Sequence, residues 1–293
     1  MATKKKSTRK KVSTRKSEVG SRKSEVGRRK SGDGSRKSEV GSGKLEDERK
    51  EMDVVEELDS AQMEKKPLIH ILVRTHQRPG YFKKCLESIA AQTYEWKIVH
   101  VIADDDVSEK YANEALDAGL CDEVLRVDKK AETLNVYGDF KALQRAGFCK
   151  NNSDFRKHPY DLYLNWAMDT IDNGYIFIVD DDKQLPKKNL LSEIAANLLE
   201  EVVVIGQYAM KSRTLPTGDY WEKLPFTRAH IDMSCVVFHA KHKTFARLDG
   251  HGAGDWRLCN KLAEKLSPVW IKKPFTVADN DGNFGRSEGR IKR

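Results

Sequence analysis

The chain has 293 residues and a formal charge of +8 at pH 7, but the excess is confined to one end. Residues 1–50 hold 18 Lys or Arg against 7 Asp or Glu, and the remainder holds 35 against 38, so the net charge says nothing of a basic groove on the folded part. No stretch approaches the roughly 18 apolar residues of a membrane span. Cys85, Cys121, Cys149, Cys235 and Cys259 offer no C-x-x-C pair and no metal-finger spacing. The charged start has no apolar run behind it, so a cytoplasmic protein with reduced thiols is the expectation.

From Arg15 a seven-residue unit, Arg-Lys-Ser-Glu-Val-Gly-Ser, recurs at Arg22, in degenerate form at Arg29, and again at Arg36. Each unit carries at most one apolar residue and at least one glycine, which rules out the two-position seam of a coiled coil. Residues 1–50 therefore read as a disordered basic tail, able to make salt-sensitive contact with nucleic acid or an anionic membrane surface, or simply solvated. Residues 51–66 read as a charged linker or short helix.

A domain is expected from 67 to 293, with a nucleotide-binding half at 67–182 and an acceptor and catalytic half at 183–293. Leu68 to Val73 is an apolar run of strand length. A polar turn, Arg74-Thr75-His76-Gln77-Arg78-Pro79-Gly80, then leads into a helical period at Tyr81, Cys85, Leu86 and Ile89. Ile98 to Ala103 predicts a second strand ending in Asp104-Asp105-Asp106, followed by a helix from about Ser108 to Ala118. Val124 to Val127 is a weaker strand. A helix over Tyr160 to Ile171 precedes the strand Tyr175 to Val179, which runs into Asp180-Asp181-Asp182, and another helix is expected near Lys187 to Leu199. His230 to His239 reads as a strand bounded by polar groups. This alternation predicts an α/β fold: a mixed, mostly parallel, Rossmann-like sheet with helices on both faces and ligands at the carboxyl ends of its strands.

Two acidic clusters follow predicted buried strands at that rim. A nucleoside diphosphate beside carboxylates would be repelled unless a divalent cation lay between, and aspartate oxygens suit Mg²⁺ or Mn²⁺. Such an ion also stabilises a departing diphosphate. Asp180 and Asp182 are the candidate metal ligands, with Asp182 the more direct. The competing reading makes the three aspartates a solvated turn favouring the N-terminus of the next helix.

These residues resemble glycosyltransferase family 2. Ile71 to Pro79, continuing through Tyr81 to Ile89 and Gln92-Thr93-Tyr94, is similar to that family's opening strand, T-Y-N-R-P-like turn and helix. Ile98 to Asp106 resembles its next strand and D-D, Tyr175 to Asp182 the strand carrying its D-x-D, and Asn165 the asparagine of its A-R-N segment. The resemblance covers roughly residues 68–265 and implies a GT-A fold and transfer from a nucleoside-diphosphate sugar, UDP-sugars favoured, with Mn²⁺ or Mg²⁺. It further implies that Thr75 and Arg78 line the nucleotide pocket, that Asp104 or Asp105 accepts a hydrogen bond from the base, and that Asn165, Asp180 and Asp181 also belong to the donor site. Leu164 stands where the family often has Arg, and Lys183 where a further Asp often follows.

A hydroxyl acceptor needs a base, because it becomes nucleophilic only as its proton leaves. Gly252 to Leu258 resembles the family's later E-D or D-W segment and makes Asp255 the candidate; capping the following helix, Trp256 to Leu266, is the competing role. Trp256 could stack on a sugar or belong to the core. His239 or His251 could supply a third metal ligand, and Asn280 to Arg286 could close over the donor. An inverting glycosyltransferase is the leading function. The alternatives are a nucleotidyltransferase, disfavoured by the absence of a glycine-rich loop between Arg74 and Gly80, and an inactive scaffold binding anionic polymers through its tail. The acceptor is open among glycan, lipid, protein and modified DNA.

Overall fold

The computed structural model describes residues 66–128 and 157–278, with Asp139 and Lys141 between them. The basic tail, the linker through residue 65, Cys149 and the Asn280–Arg286 loop lie outside the described residues. The first elements alternate: β1 (Ile69–Thr75), α1 (Pro79–Ala90), β2 (Lys97–Ala103), α2 (Asp106–Asp117) and β3 (Glu123–Arg126), with α3 (Pro159–Asp169) leading into β4 (Tyr175–Asp180). There follow β5 (Lys183–Gln184), α4 (Leu190–Ala195), β6 (Val202–Ala209), β7 (Thr214–Leu215), β8 (Val236–His239), α5 (Gly254–Lys265) and β9 (Ser267–Ala278). Prolines open α1 and α3, where a missing N–H costs nothing and the fixed φ is already helical.

Among the described residues the strands form one sheet in the order β3-β2-β1-β4-β8-β6-β9-β5, with β7 on β6. β3, β2, β1 and β4 are parallel neighbours, as are β6 and β9, while β8 runs antiparallel between β4 and β6. The longer ladders are thus the parallel ones, and the sheet is covered on both faces. Strand alternation sends Ile71, Val73, Val99 and Val101 into one core with Phe82, Leu86 and Ile89 of α1. Leu72, Ile102, Ile176 and Ile178 face a second core with Leu162 and Met168 of α3 and Leu258 and Leu262 of α5. Each such side chain contributes roughly 1.5–3 kcal/mol of burial.

Three departures from the expectation have physical causes. β6 and β9 are strands that the sequence reading does not anticipate. β9 carries two prolines and two lysines and lacks a clean alternation, and β6 is interrupted by Gly206. That glycine is required: a β-carbon there would lie 2.2 Å from the Phe275 ring, where the β6–β9 register shifts. The stretch from His230 becomes a strand only at Val236. Asp232 instead starts a 3₁₀ turn over Met233–Cys235 by accepting a hydrogen bond from the Ser234 N–H at 2.8 Å. The helix expected near residues 187–199 is reduced to α4.

Candidate active site

The carboxyl ends of β1 and β4 lie side by side, and the parallel register places Arg74 opposite Asp180. Arg74 Nη2 donates to Asp180 Oδ1 at 2.8 Å, and Nη1 lies 3.6 Å from Asp161 Oδ1 on α3. Lys183, just past the acidic turn, donates to Asp180 Oδ2 at 2.9 Å and to Asp232 Oδ1 at 2.6 Å. Burial alone would raise the Asp180 pKa, but Lys183 and then Arg74 outweigh it and hold the carboxyl well below the usual carboxylate range.

Arg78 forks across the same turn. Its Nε donates to Asp181 Oδ2 at 3.2 Å, its Nη2 lies against Asp181 Oδ1, and its Nη1 donates to Asp182 Oδ2 at 3.1 Å. The guanidinium is delivered by a loop in which Gln77 adopts a left-handed φ of 52°, a cost a side-chain-bearing residue carries only where its surroundings enforce it. These groups open onto a cavity of about 650 Å³ whose wall includes Arg74, His76, Arg78, Asp180, Asp182, Lys183 and Asp232, with Lys157 to Tyr160 across from them. The Tyr160 ring lies beneath the Arg74 guanidinium, 5.8 Å from its centroid, and the His76 ring is also 5.8 Å away.

Several expected donor contacts turn inward. Thr75 is fully buried and donates to Asp181 Oδ2 at 2.8 Å, with the Tyr111 hydroxyl 2.7 Å from its own oxygen. Asp181 is likewise fully buried, so this pair braces the turn from behind and leaves Asp182 and Arg78 on the cavity wall. Asn165 is occupied too: its amide donates to the Leu248 carbonyl at 2.7 Å and accepts from the Leu248 N–H at 3.0 Å, tying α3 to the loop before α5. His239 pairs with Tyr175 at the far end of β4. Five strand residues, about 17 Å, separate that end from Asp180, so His239 is remote from the acidic turn.

At the end of β2, Asp104 Oδ1 is 2.8 Å from His76 Nδ1. Asp105 caps α2 by accepting from the Ser108 N–H at 2.7 Å, and Gln77 Nε2 donates to its other oxygen at 2.7 Å. Burial would raise Asp105, but these bonds keep its pKa at about 2. His76, Asp104 and Asp105 bring ligand atoms within 4.8 Å of one another, a spacing a cation accepts, although Asp104 Oδ1 already bonds His76 and both oxygens of Asp105 already accept hydrogen bonds.

Asp255 stands in the first turn of α5 and does not cap it. The N-cap is Ala253, at a left-handed φ of 63°. Arg257 fixes this loop from inside: its Nε and Nη2 grip Asp249 at 2.5 and 2.6 Å, and Nη1 donates to the Gly252 carbonyl at 3.0 Å. His251 is buried in the same loop. Trp256 packs on the core and donates its indole N–H to the Phe226 carbonyl at 2.6 Å, so its ring is a structural part and not a free sugar platform. At Gly254 a β-carbon would lie 2.6 Å from Asp161 Oδ2, so the missing side chain admits that carboxylate to the start of α5. Burial, with Asp232 adding repulsion, pushes Asp255 up to about 6. Burial also pushes Asp161 up to about 7, with Asp255 and Asp249 adding to the rise against Arg74.

Asp161, Asp180, Asp181, Asp182, Asp232 and Asp255 thus outnumber Arg74, Arg78 and Lys183. Asp182 is raised by burial and then by the Asp180 charge, against Lys183 and Arg78. Three hard carboxylates, Asp180, Asp182 and Asp232, reach one cavity, and this donor set suits Mg²⁺ or Mn²⁺. Arg74, Asp161, Asp232 and Tyr160 were not singled out in the sequence. Only Arg74 carried a readable signal, as a charged residue closing a buried strand, and the register sets it opposite the first residue of the acidic turn.

No family model matches the chain, and no curated protein matches it significantly. Solved structures do. The crystal structure of S. aureus TarS aligns with TM-score 0.51 at 14% identity over 72% of this chain and 36% of that one. The TarS 1–349 structure aligns with TM-score 0.51 at 15% identity, covering 60% of its own length. The same fragment in complex with UDP-GlcNAc gives 0.49 at 14% identity. The chain therefore spans less than two thirds of these structures, from 36% to 60% of their length. At these identities the likeness speaks to architecture: the chain has a mixed α/β, GT-A-type Rossmann-like fold.

Proposed function

We propose that this chain is a divalent-cation-dependent glycosyltransferase that takes a nucleoside-diphosphate sugar, most naturally a UDP-sugar, and passes the sugar to a hydroxyl acceptor with inversion. The observation that carries this reading is the cavity at the ends of β1 and β4, where Asp180 and Asp182 meet Arg74 and Arg78. Carboxylates and guanidiniums on one wall match a ligand that is itself an anion bridged by a cation.

Asp182 would hold the ion, with Asp180 behind it. When bound, a divalent cation supplies Lewis-acid neutralisation of the diphosphate as it leaves. Arg78 keeps Asp182 in place while offering its remaining guanidinium surface to phosphoryl oxygens, and Arg74 does the same beside Asp180. Tyr160 and His76 offer ring faces for base or sugar, with Asp104 and Asp105 at the rim. Asp255 takes the acceptor proton as the hydroxyl attacks the anomeric carbon opposite the diphosphate. A pKa near 6 suits a group that must be ionised near neutrality and still accept a proton. The basic residues 1–50 would gather a polyanionic acceptor without entering the chemistry.

The test is a panel of UDP-, GDP- and dTDP-sugars with and without Mn²⁺, read by release of free diphosphate and by thermal shift. Donor-specific stabilisation that requires Mn²⁺ and vanishes in Asp182→Asn is expected. Indifference to every donor, with or without the ion, refutes the reading.

A further inference from the structure

The carboxylates on the cavity wall do not share one partner. Lys183 is 3% exposed, and both Asp180 and Asp232 accept hydrogen bonds from its ammonium, at 2.9 and 2.6 Å. The ring of Tyr208 on β6 backs the charge with its centroid 4.8 Å away. The same oxygen of Asp232 is held by a second residue as well. Its Oδ1 also accepts from the Ser234 N–H at 2.8 Å and from Ser234 Oγ at 2.6 Å, and that hydroxyl lies 2.8 Å from Thr276 Oγ1 on β9. One positive charge is therefore fixed from the end of β4, from β6 and from the turn before β8. Asp182, by contrast, takes a hydrogen bond from Arg78 Nη1 at 3.1 Å and stands on the cavity wall, with Arg78 itself anchored on Asp181.

An ammonium bound this way competes with a divalent ion. To bridge Asp180 and Asp232, the ion would have to expel a buried charge from two hydrogen bonds and an aromatic face, or sit beside a like charge at contact distance. Asp182 lies within reach of the same charge, but its hydrogen bond comes from the Arg78 guanidinium and not from the ammonium, so an ion there would displace no Lys183 contact.

We propose that Lys183 is a tethered cation that takes the place of a divalent ion between Asp180 and Asp232 and so confines metal binding to Asp182. Lys183 is then a positioning residue, and the inference rests on the donor-site reading above. It implies that the chain binds its metal weakly and at one carboxylate, although three line the cavity.

The test is a Mn²⁺ titration of the full chain, followed by the EPR signal of the free ion, for the wild type, Lys183→Met, Asp232→Asn and Asp182→Asn. Lys183→Met should bind Mn²⁺ about tenfold tighter, a change on the scale that ligand surroundings exert on metal affinity. A purely structural lysine would give no gain. Asp232→Asn should stay within about twofold of wild type, since the Oδ1 that faces Asp180 across Lys183 already accepts from Lys183 and Ser234. Unchanged or weaker binding by folded Lys183→Met overturns the proposal. So does a loss of about tenfold in Asp232→Asn, which decides the matter even if Lys183→Met fails to fold. The Asp182→Asn arm tests the donor-site reading by itself: undiminished Mn²⁺ binding there would sink that reading, whatever the two Lys183-partner variants show.

Discussion

The loop that presents Asp255 depends on a single buried guanidinium, and this can be tested quantitatively. Arg257 and Asp249 have side chains 2% and 7% exposed, and Arg257 also donates to the Gly252 and His251 carbonyls at 3.0 and 3.2 Å. Arg257→Met keeps much of the volume but leaves the Asp249 charge buried without its partner and two carbonyls without a donor. Removing one member of a buried pair costs about 3–5 kcal/mol. For a domain of this size each kcal/mol lowers Tm by roughly 2–4 °C, so a fall of about 6–20 °C is expected. Urea denaturation gives the free energy, and Asp249→Asn in the same background should recover about 1.5 kcal/mol or more by removing the stranded charge. Below its melting range Arg257→Met should still gain stability from UDP and Mn²⁺ yet transfer sugar poorly, because the loop carries the proposed base and not the proposed donor contacts. A cost under about 1 kcal/mol, or no recovery in the double variant, would refute the clamp.

Two further outcomes follow from the ionisable groups. With Asp255 at about 6, the transfer rate should rise with pH through that value and level off above it, because the base acts ionised; Asp255→Asn should abolish that limb and lower the rate by about 100-fold or more, and a variant keeping both would dismiss Asp255. At the opposite end of the sheet, His70 Nδ1 lies 2.9 Å from His100 Nε2, and burial followed by His100 lowers His70 from 6.5 to about 4. The folded chain keeps this ring neutral while the unfolded chain takes a proton below 6.5, so stability is full above that pH and falls as pH drops toward 4. The loss reaches on the order of 3 kcal/mol. Denaturation at pH 7 and 4.5 should show it in the wild type and not in His70→Gln.

The legible parts of the molecule were those whose physics is local. β1, β2 and β4 are largely buried and read as runs that are apolar apart from His70, His100 and the strand ends, and the aspartates that end β4 and follow β2 mark the rim directly. The acidic turn was found for the same reason. What could not be read was direction. Thr75 and Arg78 are three residues apart in one loop, yet Thr75 is sealed behind the turn and Arg78 lines the cavity, an outcome set by Tyr111 on α2 and Asp181 on β4's end. Asp232, Asp161 and Tyr160 lie in ordinary polar surroundings in the sequence and gain significance only when α3 and the turn before β8 fold over the strand ends. Asn165 matched a motif, but the Leu248 backbone claims both ends of its amide.

β4 is hydrogen-bonded to β1 on one side and to β8 on the other, and β5, three residues beyond it, closes on β9 near the end of the described chain. A cut between residues 182 and 183 would strip β4 of one neighbour and leave β6 and β8 without an anchor. It would also part Asp180 from the lysine that neutralises it. The two halves of the sheet are therefore inseparable as expressed fragments, and fusions or truncations must leave the span from β1 to β9 intact.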